Sequence, residues 1–351
     1  MKLLDAAAAL TTPVLPEEYL AYVNPLWATR QPRGRVEAVV PETPDAGAQP
    51  EGHGVGFPRT HVPGQYVRVG VDVEGVRHWR TYSLTSVPGR PDRRFAITVK
   101  AAPEGRVSEQ LVRRTRVGDV VRLAPPAGEF VLPTPLDGPL LFLTAGSGVT
   151  PVMGMLRALV ARGPLPDIAH VHLSPTRPEA IFGDELRRLA HAHPRLSLHE
   201  HHDDADGRFD LATLGERVPD WRERHAWACG PAGLLDALTA HYTAEGLSER
   251  LHLEHFAPVV AAGPVGTGGR VRFLASNLEV EADGATPILV AGEAGGALLP
   301  SGCRMGICHT CVGRLCSGAV RDLRTRELHD TPDALVRTCV SAAAGPVEID
   351  L

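Results

Sequence analysis

Residues 302–311 read GCRMGICHTC, which sets Cys303, Cys308 and Cys311 in the spacing C-x4-C-x2-C, and Cys339 follows 28 positions after Cys311. Two irons need four thiolates, and [2Fe–2S] sites of one kind draw three of them from a single tight loop of this spacing and the fourth from further along. Gly302 and Gly306 suit such a loop, because glycine lets the backbone wrap closely and turn N–H groups toward the sulfurs. A structural zinc site favours paired C-x2-C motifs, of which this segment has one. A disulfide network is disfavoured in a reducing compartment. The spacing therefore predicts a [2Fe–2S] cluster held by Cys303, Cys308, Cys311 and Cys339. Cys316 is left over and reads as a small buried apolar residue.

The whole chain is consistent with a redox enzyme. Its 351 residues point to two or three domains, and 43% hydrophobic with 22% charged residues allows each a core. A net charge of −5 argues against nucleic acid as a partner. Nearly all the basic residues are Arg; only Lys2 and Lys100 are Lys. No apolar run approaches the ~20 residues of a membrane helix. The start, MKLLDAAAALTTP, lacks the long apolar region of a signal peptide. The expectation is a cytoplasmic protein, monomeric and without a membrane span, whose acceptor is free to be membrane-bound.

Upstream of the cysteine loop the chain divides by pattern. Residues 1–32 read as an N-terminal extension. Residues 33–133 hold short apolar runs between Gly/Pro turns and predict an antiparallel β-barrel, with Pro41–Pro63 as a mobile Pro/Gly-rich loop. Residues 137–256 alternate strand and helix signals (PLLFLTAG, VTPVMGMLRALVARG, IAHVHLS, DELRRLAHAH, LSLHEHH, HAWACG, PAGLLDALTAHYTAEG), which predicts a parallel sheet with helices on both faces. Residues 257–269, APVVAAGPVGTGG, read as a linker. Residues 270–351 form an α+β unit with two opening strands, one helix, the cysteine loop and a final strand.

Several short motifs fall at the strand ends. RTYS at 80–83 offers an Arg fork for phosphate and an aromatic face for a flat ring, although an edge Arg beside a packed Tyr reads the same way. GRVSEQL at 105–111 follows the strand FAITVK, and Ser108 is a candidate N-cap of a helix whose N–H groups would face a phosphate; a plain capped helix is the alternative. TAGSGVTPV at 144–152 runs from a buried strand through glycines into a helix, a turn suited to a pyrophosphate or to an ordinary strand–turn–helix. ACGP at 228–231 places Cys229 at a strand end, where a buried cysteine would also fit. HLEHF at 252–256 closes the unit.

Taken in order, these motifs resemble the ferredoxin–NADP reductase superfamily. The likeness is to flavin reductases of the phthalate dioxygenase reductase type with a fused C-terminal plant-type [2Fe–2S] ferredoxin domain, and covers about residues 20–351. The stretch NPLWATRQPRGRVEAV also resembles actinobacterial reductases that feed acyl-CoA desaturases. The resemblance implies a multidomain fold: an antiparallel β-barrel flavin domain, an α/β parallel-sheet nucleotide domain and a β-grasp-like ferredoxin domain. It implies that Arg80 neutralises the flavin pyrophosphate, Tyr82 stacks on the ring and Ser83 contacts its N5 atom, with Thr81, Val99, Gly105, Val107 and Ser108 completing the flavin site. It assigns nucleotide to Gly146, Gly148, Thr150 and Pro151, and nicotinamide to Cys229 with Gly230 and Pro231. Phe256 is expected near the flavin, or as an aromatic plug between domains. Ser83 and Cys229 are the catalytic candidates.

The chemistry implied is hydride transfer from NAD(P)H to flavin, then single electrons to the cluster. FAD is expected, with FMN, used by the phthalate-type relatives, as the alternative. IAHVHLS ends without the acidic residue that holds a ribose 2′-hydroxyl; Ser174, Thr176 and Arg177 follow, which favours NADPH over NADH. The expected acceptor is an iron oxygenase or desaturase. Two alternatives are direct reduction of small acceptors such as quinones or ferric chelates, and a redox-sensing Fe–S protein without turnover. His191, His193, His199, His201 and His202 with Asp203 and Asp204 read as a solvated strand end rather than a metal site. The Arg113–Arg114 and Arg187–Arg188 pairs read as solvated helix faces.

Overall fold

The computed structural model describes residues 23–28, 31–54, 56–73, 76–102, 105–256, 266–302, 304–306 and 309–351. Of the expected N-terminal extension 1–32, residues 1–22 and 29–30 lie outside the described residues, as do 257–265 of the expected linker. Two compact units form, one running to Arg77 and over Thr81–Glu254, the other made of His78–Arg80 with His255–Leu351.

The first unit opens with seven strands: β1 (Arg33–Val36), β2 (Val40–Thr43), β3 (Ala46–His53), β4 (Tyr66–Val73), β5 (Val76–Ser83), β6 (Arg94–Lys100) and β7 (Val120–Leu123). They pair in the order β2-β3-β1-β7-β4-β5, with β6 on β3. A bridge from Leu84, just past β5, to Ile97 of β6 brings the sheet back on itself. Period-two alternation fills the interior: Val67, Val69 and Val71 of β4 meet Phe95, Ile97 and Val99 of β6 and Val121 and Leu123 of β7. Val107 and Leu111, from α1 (Arg106–Glu109) and the π turn Gln110–Arg114 after it, complete this core.

One expectation is overturned here. The segment 41–63 was expected as a loop, yet β2 and β3 form a hairpin within it, and β3 pairs with both β1 and β6. Its prolines fall where a missing N–H does little harm. Pro41 sits on β2, at one end of the sheet order. Pro50 lies where β3 changes partner, since Ala48 pairs with Val40 of β2 and Glu51 with Val36 of β1.

Five parallel strands follow: β8 (Leu140–Ala145), β9 (Ile168–Ser174), β10 (Leu196–His202), β11 (His225–Cys229) and β12 (Leu251–Glu254), in the order β10-β9-β8-β11-β12. One face packs under α2 (Val149–Arg162) and α3 (Gly183–Ala192), where Leu140, Phe142 and Trp227 meet Val152, Met153 and Leu186. The opposite face packs on α4 (Ala232–Ala244) through Leu141, Leu143 and Ala228 against Leu235 and Leu238. The order in which strands are added reverses between β8 and β11, which makes the crevice where open α/β sheets bind their ligands. The barrel is joined to this sheet: Ala46 and Phe130 belong to the α2-side core, and Trp227 Nε1 donates to the Val131 carbonyl at 3.2 Å.

In the second unit β13 (Gly266–Phe273), β14 (Leu278–Gly284), β15 (Val312–Asp322), β16 (Leu328–His329), β17 (Leu335–Arg337) and β18 (Ser341–Asp350) run in the order β14-β13-β18-β15-β16, with β17 on β15. A parallel central pair, β13–β18, flanked by antiparallel neighbours, packs one helix, α5 (Ile288–Ala294), through Val271, Phe273, Ile288, Leu315 and Ile349. Strand β13 already begins at Gly266, inside the stretch expected as linker. Cys316 is half-exposed rather than buried. Gly313 and Leu315 are the inward residues of this part of β15, so the strand's alternation turns Cys316 to the outer side with Arg314, whose carbonyl its Sγ approaches at 3.6 Å.

Candidate functional site

The nucleotide crevice is built from two strand ends pressed together. After β8 the chain enters a tight turn, Gly146–Gly148, and then α2, whose first residues Val149, Thr150 and Pro151 are all buried. Gly146 has φ +53°, a left-handed conformation that favours glycine. A Cβ at Gly146 would meet nothing within 4 Å, so open space lies above the turn. A Cβ at Gly148 would stand 2.0 Å from the Cys229 carbonyl oxygen. The Thr150 hydroxyl donates to the Ser147 carbonyl at 2.9 Å and so braces the turn from within. A glycine turn of this shape, with open space above it and a helix N-terminus behind it, fits a pyrophosphate.

Five side-chain positions stand in register across this sheet on one face: Glu254 opposite Cys229, Cys229 opposite Thr144, Thr144 opposite His172, and His172 opposite Glu200. Cys229 is fully buried, and burial pushes its thiol well above the usual range, with Glu254 adding to the shift. The group is therefore a neutral thiol and not a thiolate nucleophile. Burial pushes the Glu254 carboxyl up to about 7. Glu254 was quoted within HLEHF but given no role; only the pairing of β12 with β11 sets its carboxyl beside Cys229. Gly230 lies close under Ala145, and Pro231 caps α4 from an exposed position.

Thr144 organises the middle of the row. Its hydroxyl lies 2.8 Å from His170 Nε2 and 2.8 Å from His172 Nδ1. One hydroxyl proton lets Thr144 donate to at most one ring, while its lone pairs can accept from the other. Both imidazoles are fully buried and held neutral, His170 pushed well below its usual range by burial and His172 down to about 4. Further along β9, Ser174 is buried, and its hydroxyl is engaged with the Thr176 carbonyl at 3.0 Å and His202 Nδ1 at 2.8 Å. Arg177, in contrast, is exposed. The expected solvated strand end is only partly so: His201 is buried, with Nε2 2.8 Å from the Gly207 carbonyl. No group of three or more metal-ligating side chains occurs among the described residues.

On the barrel, Tyr82 is half-buried against the core and Ser83 is buried. Arg80 Nη1 donates to the Trp79 carbonyl at 2.8 Å. Thr98 carries a buried hydroxyl with no partner among the described residues. It stands on the face of β6 opposite the core-facing Ile97 and Val99, a polar atom that a bound ring system would satisfy. Val99 and Val107 are themselves buried in the barrel core, and Val99 is paired with Gly47 of β3. Ser108 is not an N-cap. It lies inside α1, accepts from the Ala102 N–H at 3.0 Å and donates to the Gly105 carbonyl at 3.0 Å, so it folds the loop around Gly105. Phe256 is 42% exposed.

In the second unit, Cys303 and Cys308 lie outside the described residues. Cys311 and Cys339 are 1% and 3% exposed and pack in one cluster with Leu289 and Val340. Thr338 ties their segments together, its N–H and hydroxyl both donating to the Cys311 carbonyl, at 3.1 and 2.9 Å. Arg304, Gly306 and His309 all have positive φ, so the backbone turns sharply at each, and Arg337 Nη1 donates to the Gly306 carbonyl at 3.0 Å. Two non-glycine residues in that conformation persist only where the surroundings dictate it. A curled loop beside a buried thiol pair fits an iron–sulfur cluster.

The fold and these sites define a flavin- and nicotinamide-dependent iron–sulfur reductase. Residues 57–132 match the oxidoreductase FAD-binding domain family, 142–239 the oxidoreductase NAD-binding domain family and 273–344 the 2Fe-2S iron-sulfur cluster binding domain family. The chain is 49% identical over 347 residues to an NADPH oxidoreductase of Mycobacterium tuberculosis, spanning 98% of this chain and 91% of that one. It is 29% identical to the glycine betaine monooxygenase reductase subunit of Pseudomonas aeruginosa, over 82% of this chain and 86% of that subunit. Among solved structures, phthalate dioxygenase reductase matches with a TM-score of 0.62 at 26% identity, covering 91% of this chain and 97% of that one. The chain belongs to the ferredoxin–NADP reductase superfamily, as a phthalate dioxygenase reductase-like oxidoreductase with FAD-binding, NAD-binding and C-terminal [2Fe–2S] domains. No helix among the described residues is long and apolar enough to cross a membrane.

Proposed function

We propose that this enzyme draws electrons from NADPH and delivers them singly, through its [2Fe–2S] centre, to an iron-dependent oxygenase or fatty-acyl desaturase. The observation that carries this reading is the crevice in which the Gly146–Gly148 turn lies against Cys229 at the switch point of the parallel sheet. FAD, when bound, would supply the link between two-electron hydride donation by NADPH and one-electron delivery to the cluster.

The chain's own residues do the rest. Gly146 and Gly148 let the backbone approach the NADPH pyrophosphate, and Arg177 meets its 2′-phosphate. Cys229, a neutral buried thiol, packs beside the nicotinamide without competing as a nucleophile. Arg80, Thr81, Tyr82 and Ser83 line the flavin, and the loop that Ser108 folds holds its phosphates at Gly105 and Val107. Cys303, Cys308, Cys311 and Cys339 hold the irons. The name of the Mycobacterium relative supports NADPH, and that of the Pseudomonas subunit supports an oxygenase as acceptor.

The test is purified enzyme with NADPH or NADH, assayed against ferricyanide and against cytochrome c. Cys308→Ser is expected to keep ferricyanide reduction and lose cytochrome c reduction. Equal loss of both would overturn the order flavin then cluster. Reconstitution with a purified desaturase or oxygenase component then decides the acceptor; turnover with quinone or ferric chelate alone would overturn this assignment.

A further inference from the structure

Helix α2 begins at the nucleotide turn, and its middle rests on the strand that carries RTYS. A Cβ at Gly154 would stand 2.4 Å from the Leu84 carbonyl oxygen, so only glycine allows this approach. One helical turn on, Arg157 makes three contacts at once. Its Nε and Nη2 form a fork with Glu185 Oε1 and Oε2 of α3, at 2.8 and 2.6 Å. Its Nη1 donates to the Thr85 carbonyl at 2.6 Å. Its guanidinium lies 4.9 Å from the centroid of the Phe182 ring. Phe182 is buried and holds φ +60°, a strained conformation fixed by this packing. Thr85 lies two residues beyond Ser83, and its N–H donates to the Ala96 carbonyl at 2.8 Å, which closes the barrel.

The spacing gives this clamp a consequence. Gly154 stands six residues along the chain from Gly148, about 9 Å of rigid rod, and Leu84 directly follows Ser83. The flavin-side and nicotinamide-side groups are thus joined by a short, stiff path pinned at Gly154 and Arg157. Hydride transfer needs reacting atoms about 3–3.5 Å apart, and a 1 Å error costs on the order of a hundredfold. The geometry points to Arg157 as a positioning residue for hydride transfer: by gripping Glu185 and the Thr85 carbonyl together, it locks α2 against the end of the RTYS strand and fixes the two halves of the reaction site to each other. This rests on the hydride reading given under Proposed function.

The experiment compares wild type with Arg157→Met, Arg157→Lys, Glu185→Gln and Gly154→Ala. Anaerobic stopped-flow bleaching of the flavin by NADPH gives the limiting rate and the Kd, and long-wavelength charge-transfer absorbance reports nicotinamide–flavin stacking. Amide hydrogen exchange over residues 84–86, without NADPH, reports the clamp directly. For Arg157→Met the limiting rate is expected to fall about tenfold or more, with Kd within about twofold, weaker charge-transfer absorbance and faster exchange at 84–86. Arg157→Lys, which keeps one donor for Thr85, regains part of the rate. Glu185→Gln, which leaves the guanidinium in place, shows the same pattern more mildly, while Gly154→Ala, which pushes α2 off the Leu84 carbonyl, shows it at least as strongly; both replace Arg157→Met should it not fold. An unchanged limiting rate and charge-transfer band in these variants, or a change in Kd alone, would overturn the clamp. A wild-type flavin that NADPH leaves oxidised would instead sink the proposed function.

Discussion

Gly148 and Cys229 touch through their backbones: a side chain at Gly148 would begin 2.0 Å from the Cys229 carbonyl oxygen and 2.8 Å from the Gly230 nitrogen. Neither neighbour is the end of a flexible side chain, so the strands must part to admit a methyl group. Gly148→Ala is expected to cost about 1–3 kcal/mol of stability and to weaken NADPH binding more than flavin binding. Thermal denaturation and NADPH titration of the flavin-loaded protein check it; an unchanged NADPH Kd would contradict the role given to the turn.

Glu254, beside Cys229, has its carboxyl raised to about 7 by burial. A carboxyl whose folded pKa lies above its unfolded value stabilises the fold fully below the unfolded pKa, near 4.5, and loses that contribution as pH rises through about 7. Glu254→Gln removes the titration. The stability of wild type relative to Glu254→Gln should therefore decline between about pH 4.5 and 7 and level off above. The flavin-reduction rate of wild type should show an inflection near 7 that the variant lacks. Parallel stability curves across this range would show that Glu254 titrates as an ordinary surface carboxyl.

Thr144 holds two buried neutral imidazoles, His170 and His172, whose pKa values burial lowers, His172 to about 4. Groups with depressed folded pKa values leave stability intact above the unfolded pKa, near 6.5, and lose it as pH falls toward 4. For the fully buried His172 the loss is about 3 kcal/mol over that window. Thr144→Val leaves both rings without their shared partner and should cost a further 1–3 kcal/mol or so at neutral pH. Urea unfolding at pH 7 and pH 5 measures both effects; a variant as stable as wild type at neutral pH would refute the pairing.

Much of this architecture was legible because single residues carry it. The strands of the parallel sheet read clearly since LLFLTA and IAHVHLS are unbroken runs that end at a Gly turn or before Pro175. The cysteine spacing announced the cluster loop in the same way. The hairpin β2–β3 was hidden because Pro41 and Pro50 signal breaks locally, and only the edge place of β2 and the change of partner at Pro50 make them harmless. Cys316 was misread because burial was assigned from residue type alone, whereas alternation along β15, with Gly313 and Leu315 inward, turns it out beside Arg314. Glu254 and Arg157 gave no local signal at all. The first matters through the strand beside it, the second through Thr85, 72 positions away in sequence.

The proposed preference for NADPH rests on Arg177. The expected trio for a 2′-phosphate was Ser174, Thr176 and Arg177, but Ser174 is buried and its hydroxyl already has two partners. The Thr176 hydroxyl donates to Glu179 at 2.8 Å. That leaves the exposed guanidinium of Arg177 to recognise the extra phosphate of NADPH, a charge-assisted contact worth about 1.5–3 kcal/mol. Arg177→Ala is thus expected to raise the NADPH Kd about tenfold or more while leaving NADH almost unchanged, and the gap should narrow as salt screens the pair. Ser174→Ala, by contrast, should act equally on both nucleotides, through the packing of β9 against β10. If Arg177→Ala weakened NADH as much as NADPH, the residue would be holding the common part of the nucleotide, and the preference would have to come from elsewhere on the β9 edge.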